Sequence, residues 1–117
     1  MNALQRSLKI LTDKVLTLLG FAAKAGKLSY GMNSTVSSIL TNKAKLAVLS
    51  GEISPKSQKE IIFYANKKNI PVTVFEEFDI QTLSDAVGRK CGIISINDSS
   101  FADALAKAGN TGGNANE

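Results

Sequence analysis

The sequence predicts an α/β fold: a single-domain three-layer α/β/α sandwich around a small mixed four-stranded sheet. Two observations lead there. Short β-branched or aliphatic runs alternate with segments whose apolar residues recur every three or four positions. The chain has 117 residues, enough for one modest core and not for two, and no internal repeat or linker divides it.

Leu4, Leu8, Leu11, Val15, Leu18 and Ala22 recur at helical steps with Leu19 beside them, which predicts a helix over residues 4–24 with one buried stripe. Gly26 is placed to close it in a left-handed cap, and Lys24 complements the dipole of its last turn. A very short extended piece at Leu28 and Ser29 comes next. Asn33 to Leu40 reads as a second helix, with Val36, Ile39 and Leu40 inward and Asn33 or Ser34 available as its cap.

AKLAVLS, residues 44–50, is a strand ending in a turn at Gly51. Ser54-Pro55 supplies a helix start, with Ile61, Ile62 and Ala65 as the inward face through Lys68. The β-branched run PVTVF, residues 71–75, predicts a strand buried on both faces. A short helix over 79–87 begins near Asp79, buries Ile80, Leu83 and Val87, and closes at Gly88. GIISI, residues 92–96, is the last strand. Asn97 or Asp98 caps a final helix that turns Phe101, Ala102 and Leu105 inward. The domain is expected to span residues 1–108, and the glycine-rich stretch 109–117 is expected to form a disordered polar tail.

Charge is divided unevenly. Residues 1–75 hold eleven Lys or Arg against three acids, and residues 76–117 hold three against seven, so the parts carry +8 and −4 within a net +4. That asymmetry favours an anionic partner for a surface built from the first two-thirds of the chain. There is no histidine, and so no ordinary neutral-pH proton shuttle. The acids Glu52, Glu60, Glu76, Glu77, Asp79 and Asp85 form no paired site and read as a solvated rim.

Cys91 is alone, which excludes an internal disulfide and argues against a zinc cluster; although Arg89 and Lys90 precede it, a structural role is expected. Neither a dinucleotide fingerprint nor a P-loop is present. Apolar runs are broken before membrane-spanning length, and Asp13 and Lys14 interrupt what would be a secretory leader. The expectation is a cytoplasmic, non-enzymatic protein, monomeric, with no cofactor and no membrane partner.

What remains is a binding surface. Gly31, Met32, Asn33, Ser34 and Thr35 lie where a loop enters a helix, and the unpaired N–H groups of a first helical turn receive phosphate or another anion. Lys24 and Lys27 stand before this junction, with Lys43 and Lys45 beyond the helix. The competing reading is a plain cap among surface lysines.

AGKLSYGMNSTVSSIL, AKLAVLSGEISP, NIPVTVF and LSDAVG, in this order and spacing, resemble the kink-turn-binding ribosomal protein family, the L-seven-Ae/L-thirty-e group, and within it the small bacterial ribosome-associated members. The likeness runs from about Leu16 to Leu105. It implies an α/β/α sandwich that binds structured RNA, either ribosomal RNA or a bulged kink-turn-like RNA, with ribosomal proteins as further neighbours. The family's glycine and asparagine contacts fall on Gly31 and Asn33, with Met32 between them, and its second contact loop falls on Gly88 to Gly92, including Arg89 and Lys90. Lys27 adds salt-dependent attraction, and Tyr30 either stacks on an unpaired base or packs beside the helix.

The chain departs from the family pattern at several positions. Ser29 and Tyr30 stand where basic residues precede the glycine, Ser34 replaces a glutamate, Ser37 replaces a lysine and Ser84 replaces a glycine. The implied alternative is a protein-interaction module that keeps the fold without strong kink-turn recognition.

Overall fold

The computed structural model describes residues 2–109. The elements run α1 (Ala3–Lys24), β1 (Leu28–Tyr30), α2 (Gly31–Leu40), β2 (Leu46–Ser50), α3 (Pro55–Lys68), β3 (Val72–Phe75), α4 (Ile80–Val87), β4 (Ile93–Ile96) and α5 (Ser99–Gly109). The four strands form one mixed sheet in the order β1-β4-β2-β3. β4 is antiparallel to both β1 and β2, and β2 is parallel to β3.

Two cores cover the two faces of this sheet. On one face Val15 and Leu19 of α1, Leu83 and Val87 of α4, and Ala102 and Leu105 of α5 pack on Leu46, Val48, Ile94 and Ile96. On the other, Ile39 of α2 and Ile61 and Ala65 of α3 pack on Ala47, Leu49 and Ile93. Side chains alternate along each strand, so β2 and β4 feed both layers at once. The three-layer sandwich expected from the sequence is the fold observed. No helix is long and apolar enough to cross a membrane among the described residues.

The helix ends follow their local chemistry. Asn2 and Gln5 form a reciprocal capping box at the start of α1. Ser54 accepts the Ser57 N–H with Pro55 in the first turn, and Asp79 accepts the Thr82 N–H. Asp98, not Asn97, caps the last helix, its Oδ2 accepting the Phe101 N–H at 3.0 Å. Gly26 and Gly88 take the left-handed conformations expected of them, at φ +71° and +76°.

Several expectations are corrected. The buried stripe of α1 does not begin at Leu4, which is 68% exposed. A helix of 22 residues is about 33 Å long, roughly twice the span of a five-residue strand, so its first turns have no sheet beneath them. β3 is an edge strand whose Val72, Thr73 and Val74 are half-buried, so its β-branched run serves the pleat and not a doubly covered position.

Leu40 and Ile62 lie at 42% and 38% exposure, not inward. In α2 the buried arc is Thr35, Ser38 and Ile39, and Leu40 sits about 100° round from Ile39. In α3 the same offset separates Ile62 from buried Ile61. Glu52 is more than a rim residue, since its Oε1 accepts the Ile80 N–H at 2.7 Å and holds the start of α4. The expected tail lies outside the described residues except for Gly109, which ends α5.

Candidate nucleic-acid interface

The end of β1, the start of β4 and the end of β2 meet at one end of the sheet. Tyr30 pairs with Ile94 and Leu49 with Ile93. Antiparallel pairing of β1 and β4 therefore brings the entrance of α2 beside the loop that leads into β4. Gly31 and Arg89 are far apart in sequence and adjacent in space.

The entrance is abrupt. Tyr30 is extended at φ −121° and Gly31 follows at φ +85°, so the chain passes from strand to helix within one residue. A Cβ at Gly31 would meet nothing within 4 Å. The demand for glycine is thus conformational, and an L-residue in that left-handed region carries a strain of about 1–2 kcal/mol. The helix begins at Gly31 and not at Asn33, so Asn33 and Ser34 lie inside its first turn and are not caps. No side chain caps α2 and no acid stands in its first turn, which leaves its N-terminal N–H groups and positive dipole end free of competing side chains.

Leu28, Ser29, Tyr30, Gly31 and Ser34 form one wall of a concavity of about 400 Å³, and Arg89 and Lys90 form the other. The Arg89 guanidinium carbon lies 4.7 Å from the centroid of the Tyr30 ring, a cation–π contact that joins the two walls. Burial pushes the Tyr30 hydroxyl above its ordinary ionisation range, and the nearby Arg89 charge partly offsets that. Neither Arg89 nor Lys90 has an ion-pair partner among the described residues. Both are exposed.

The other expected residues are distributed around this concavity. Asn33 and Ser37 are exposed on α2, four positions apart and so on one face beside Ser34. Asn33 has no side-chain hydrogen bond among the described residues. The Met32 side chain turns away and packs against the α2–α3 core, leaving only its backbone toward this end of the sheet. Lys27 is exposed before β1, about 13 Å of extended chain from Gly31, and does not line the concavity. Lys43 and Lys45 stand beyond the opposite end of α2.

Two polar clusters position the walls, and sequence reading missed both as clusters. Ser29 Oγ lies 2.6 Å from Ser38 Oγ and accepts from Asn97 Nδ2 at 2.9 Å, while Asn97 Oδ1 accepts from Ser95 Oγ. These bonds tie β1 to α2 and to the end of β4. In the second cluster the Ser84 hydroxyl accepts the Cys91 N–H at 3.0 Å and donates to the Cys91 carbonyl at 3.2 Å, clamping the loop that carries Arg89 and Lys90. Cys91 is buried and its thiol is pushed up by that burial, which suits packing and not reactivity. A Cβ at Gly92 would lie 2.6 Å from Ile53 Cδ1, so that side chain would have to shift to admit one.

The model of the "Ribosomal protein L7Ae/L30e/S12e/Gadd45 family" matches residues 13–106. The chain is 28% identical over 90 residues to RNA-binding protein YlxQ of Enterococcus faecium, covering 77% of this chain and 85% of that protein. It is 32% identical over 95 residues to the large ribosomal subunit protein eL30 of Yarrowia lipolytica, covering 80% and 86%. A solved structure of a protein of unknown function from Bacillus halodurans superposes with a TM-score of 0.77 at 29% identity, over 81% of this chain and 95% of that one. The Giardia lamblia 15.5kD RNA binding protein shares the fold at a TM-score of 0.71 and 17% identity, over 84% and 83%.

Proposed function

The chain belongs to the ribosomal protein L7Ae/L30e/S12e/Gadd45 family, and from that premise we propose that it is a non-catalytic module binding structured RNA in the cytoplasm. Ribosomal RNA or a bulged, kink-turn-like RNA is the ligand, and ribosomal proteins are its neighbours. The observation that carries this reading is the concavity in which the uncapped start of α2 meets Arg89 and Lys90. One wall offers N–H groups and short hydroxyls, and the other offers two cations with no carboxylate partner among the described residues.

An A-form stem presents little to read in its deep groove, so recognition falls on bent backbone and on bases freed at a bulge. Gly31 and the Met32 backbone approach the bend, while Asn33, whose side-chain amide has no hydrogen bond among the described residues, reads a base edge. Ser34 and Ser37 make neutral hydrogen bonds, and Lys27, Arg89 and Lys90 meet phosphates.

The test compares a folded RNA containing an internal bulge with the matching unbulged duplex. Tighter binding to the bulged RNA is expected, with most of that preference lost in Asn33→Ala. Equal weak binding to both would reduce the activity to general basic attraction. A second reading, a protein-interaction module, draws on Phe21, 54% exposed beside a concavity between α1 and α4 lined also by Leu16, Gly20 and Ala86. Failure to bind either RNA favours that reading.

A further inference from the structure

The loop between α4 and β4 is held at Gly88, Arg89 and Cys91 by Ser84, and at its far end by the Ser50 N–H, which donates to the Gly92 carbonyl at 2.9 Å. The Ser84 carbonyl accepts the N–H groups of Gly88 at 2.8 Å and Arg89 at 3.1 Å, as the carbonyls of a helix end commonly do. Its hydroxyl adds what a main chain cannot, by both accepting from and donating to the backbone of Cys91. Arg89 and Lys90 are therefore a dipeptide tied at each end to the same residue. From this position Arg89 reaches over the Tyr30 ring. The pair walls one concavity shared with Gly31 and Ser34, and a second shared with Gln81 and Asp85.

Adjacent cations on a free loop repel each other and must be ordered when an anion binds. A loop fixed beforehand avoids that cost. Arg89 and Lys90 have no carboxylate to hold them among the described residues, so the backbone clamp and the Tyr30 ring are what fix this segment. We propose that Ser84 is the positioning residue of the RNA-binding face. By fixing Cys91 it holds both cations where each meets a phosphate of the same RNA, and it does so without touching the RNA. This proposal rests on the RNA-binding reading above.

The experiment measures binding of the bulged RNA against salt concentration for the wild-type chain, Ser84→Ala and Ser84→Gly. The variant lacking both Arg89 and Lys90 side chains (Arg89→Ala with Lys90→Ala) is the reference, and thermal unfolding checks that each variant is folded. Loss of preorganisation is expected to weaken binding about five- to tenfold in both Ser84 variants. The slope of log affinity against log salt should become shallower by roughly one, although no charge has been removed. Adding Ser84→Ala to the reference variant should cost nothing further, because the group it positions is already gone.

Unchanged affinity in both Ser84 variants, weaker binding with an unchanged salt slope, or a fully additive loss in the reference variant would each overturn the assignment while leaving RNA binding intact. A wild-type chain that binds neither RNA removes the RNA reading itself and this proposal with it.

Discussion

Thr35 is fully buried in α2, and its hydroxyl has no hydrogen-bond partner among the described residues. A buried polar group without a partner bears the cost of lost water, so an isosteric apolar residue stabilises. Thr35→Val is expected to raise stability by about 1 kcal/mol, seen as a higher denaturant midpoint with an unchanged m-value; a lower midpoint would mean the hydroxyl is satisfied in solution. Ser38, one turn on, makes the contrast clear. It is equally enclosed, but its hydroxyl lies 2.6 Å from that of Ser29, which in turn accepts from Asn97. Two of the three buried positions of α2 are polar, so its aliphatic residues alone point to Ile39 and half-buried Val36 correctly but place Leu40 inward in error. The partner of Ser38 is Ser29 of β1, and no local pattern announces it.

Among the elements, α4 is a helix of eight residues held at its start by two carboxylates. Asp79 accepts the Thr82 N–H at 2.7 Å and Glu52 accepts the Ile80 N–H at 2.7 Å. The Thr82 N–H holds the Asp79 carboxyl below its ordinary range. A carboxylate lowered by folding contributes stability above its unfolded pKa, and that contribution disappears as pH falls through the folded value. The thermal midpoint of the wild-type chain should therefore drop on acidification below about pH 4 by more than that of Asp79→Asn, which keeps the cap acceptor but does not titrate. Identical acid profiles would remove Asp79 as a source of the loss. The Asp79 cap was legible from sequence because its acceptor and donor are three residues apart, as were Ser54-Pro55, Gly26 and Gly88. Glu52 was not, because its partner is twenty-eight residues away. The same divide runs through the proposed binding face. Gly31 and Asn33 carried a local signature, whereas the contact between Tyr30 and Arg89 depends on β1 pairing with β4. Edge strand β3 was overread for a similar reason, since a β-branched run reports a pleat and says nothing of what covers it.

At the scale of the whole molecule, the charge division does not map onto a single pole. The basic first part supplies Lys27 and the α2 entrance, but Arg89 and Lys90 come from the acidic remainder. On the proposed RNA-binding reading, phosphate contacts from Lys27, Arg89 and Lys90 predict that raising monovalent salt from about 50 to 200 mM weakens RNA binding by roughly 20- to 40-fold. Lys27→Ala should weaken different RNAs by similar factors, since phosphate contacts position without reading sequence. Filter binding or fluorescence anisotropy across a salt series measures both, and salt-insensitive binding would remove the phosphate contacts from the account. The strand order β1-β4-β2-β3 has one more consequence. The end of the sheet that brings Gly31 to Arg89 is assembled by its last strand, so a chain emerging from synthesis exposes the glycine junction long before its second wall exists. On the proposed reading, capture of RNA through this face is a property of the finished domain, and a stalled or truncated product lacking β4 lacks the second wall.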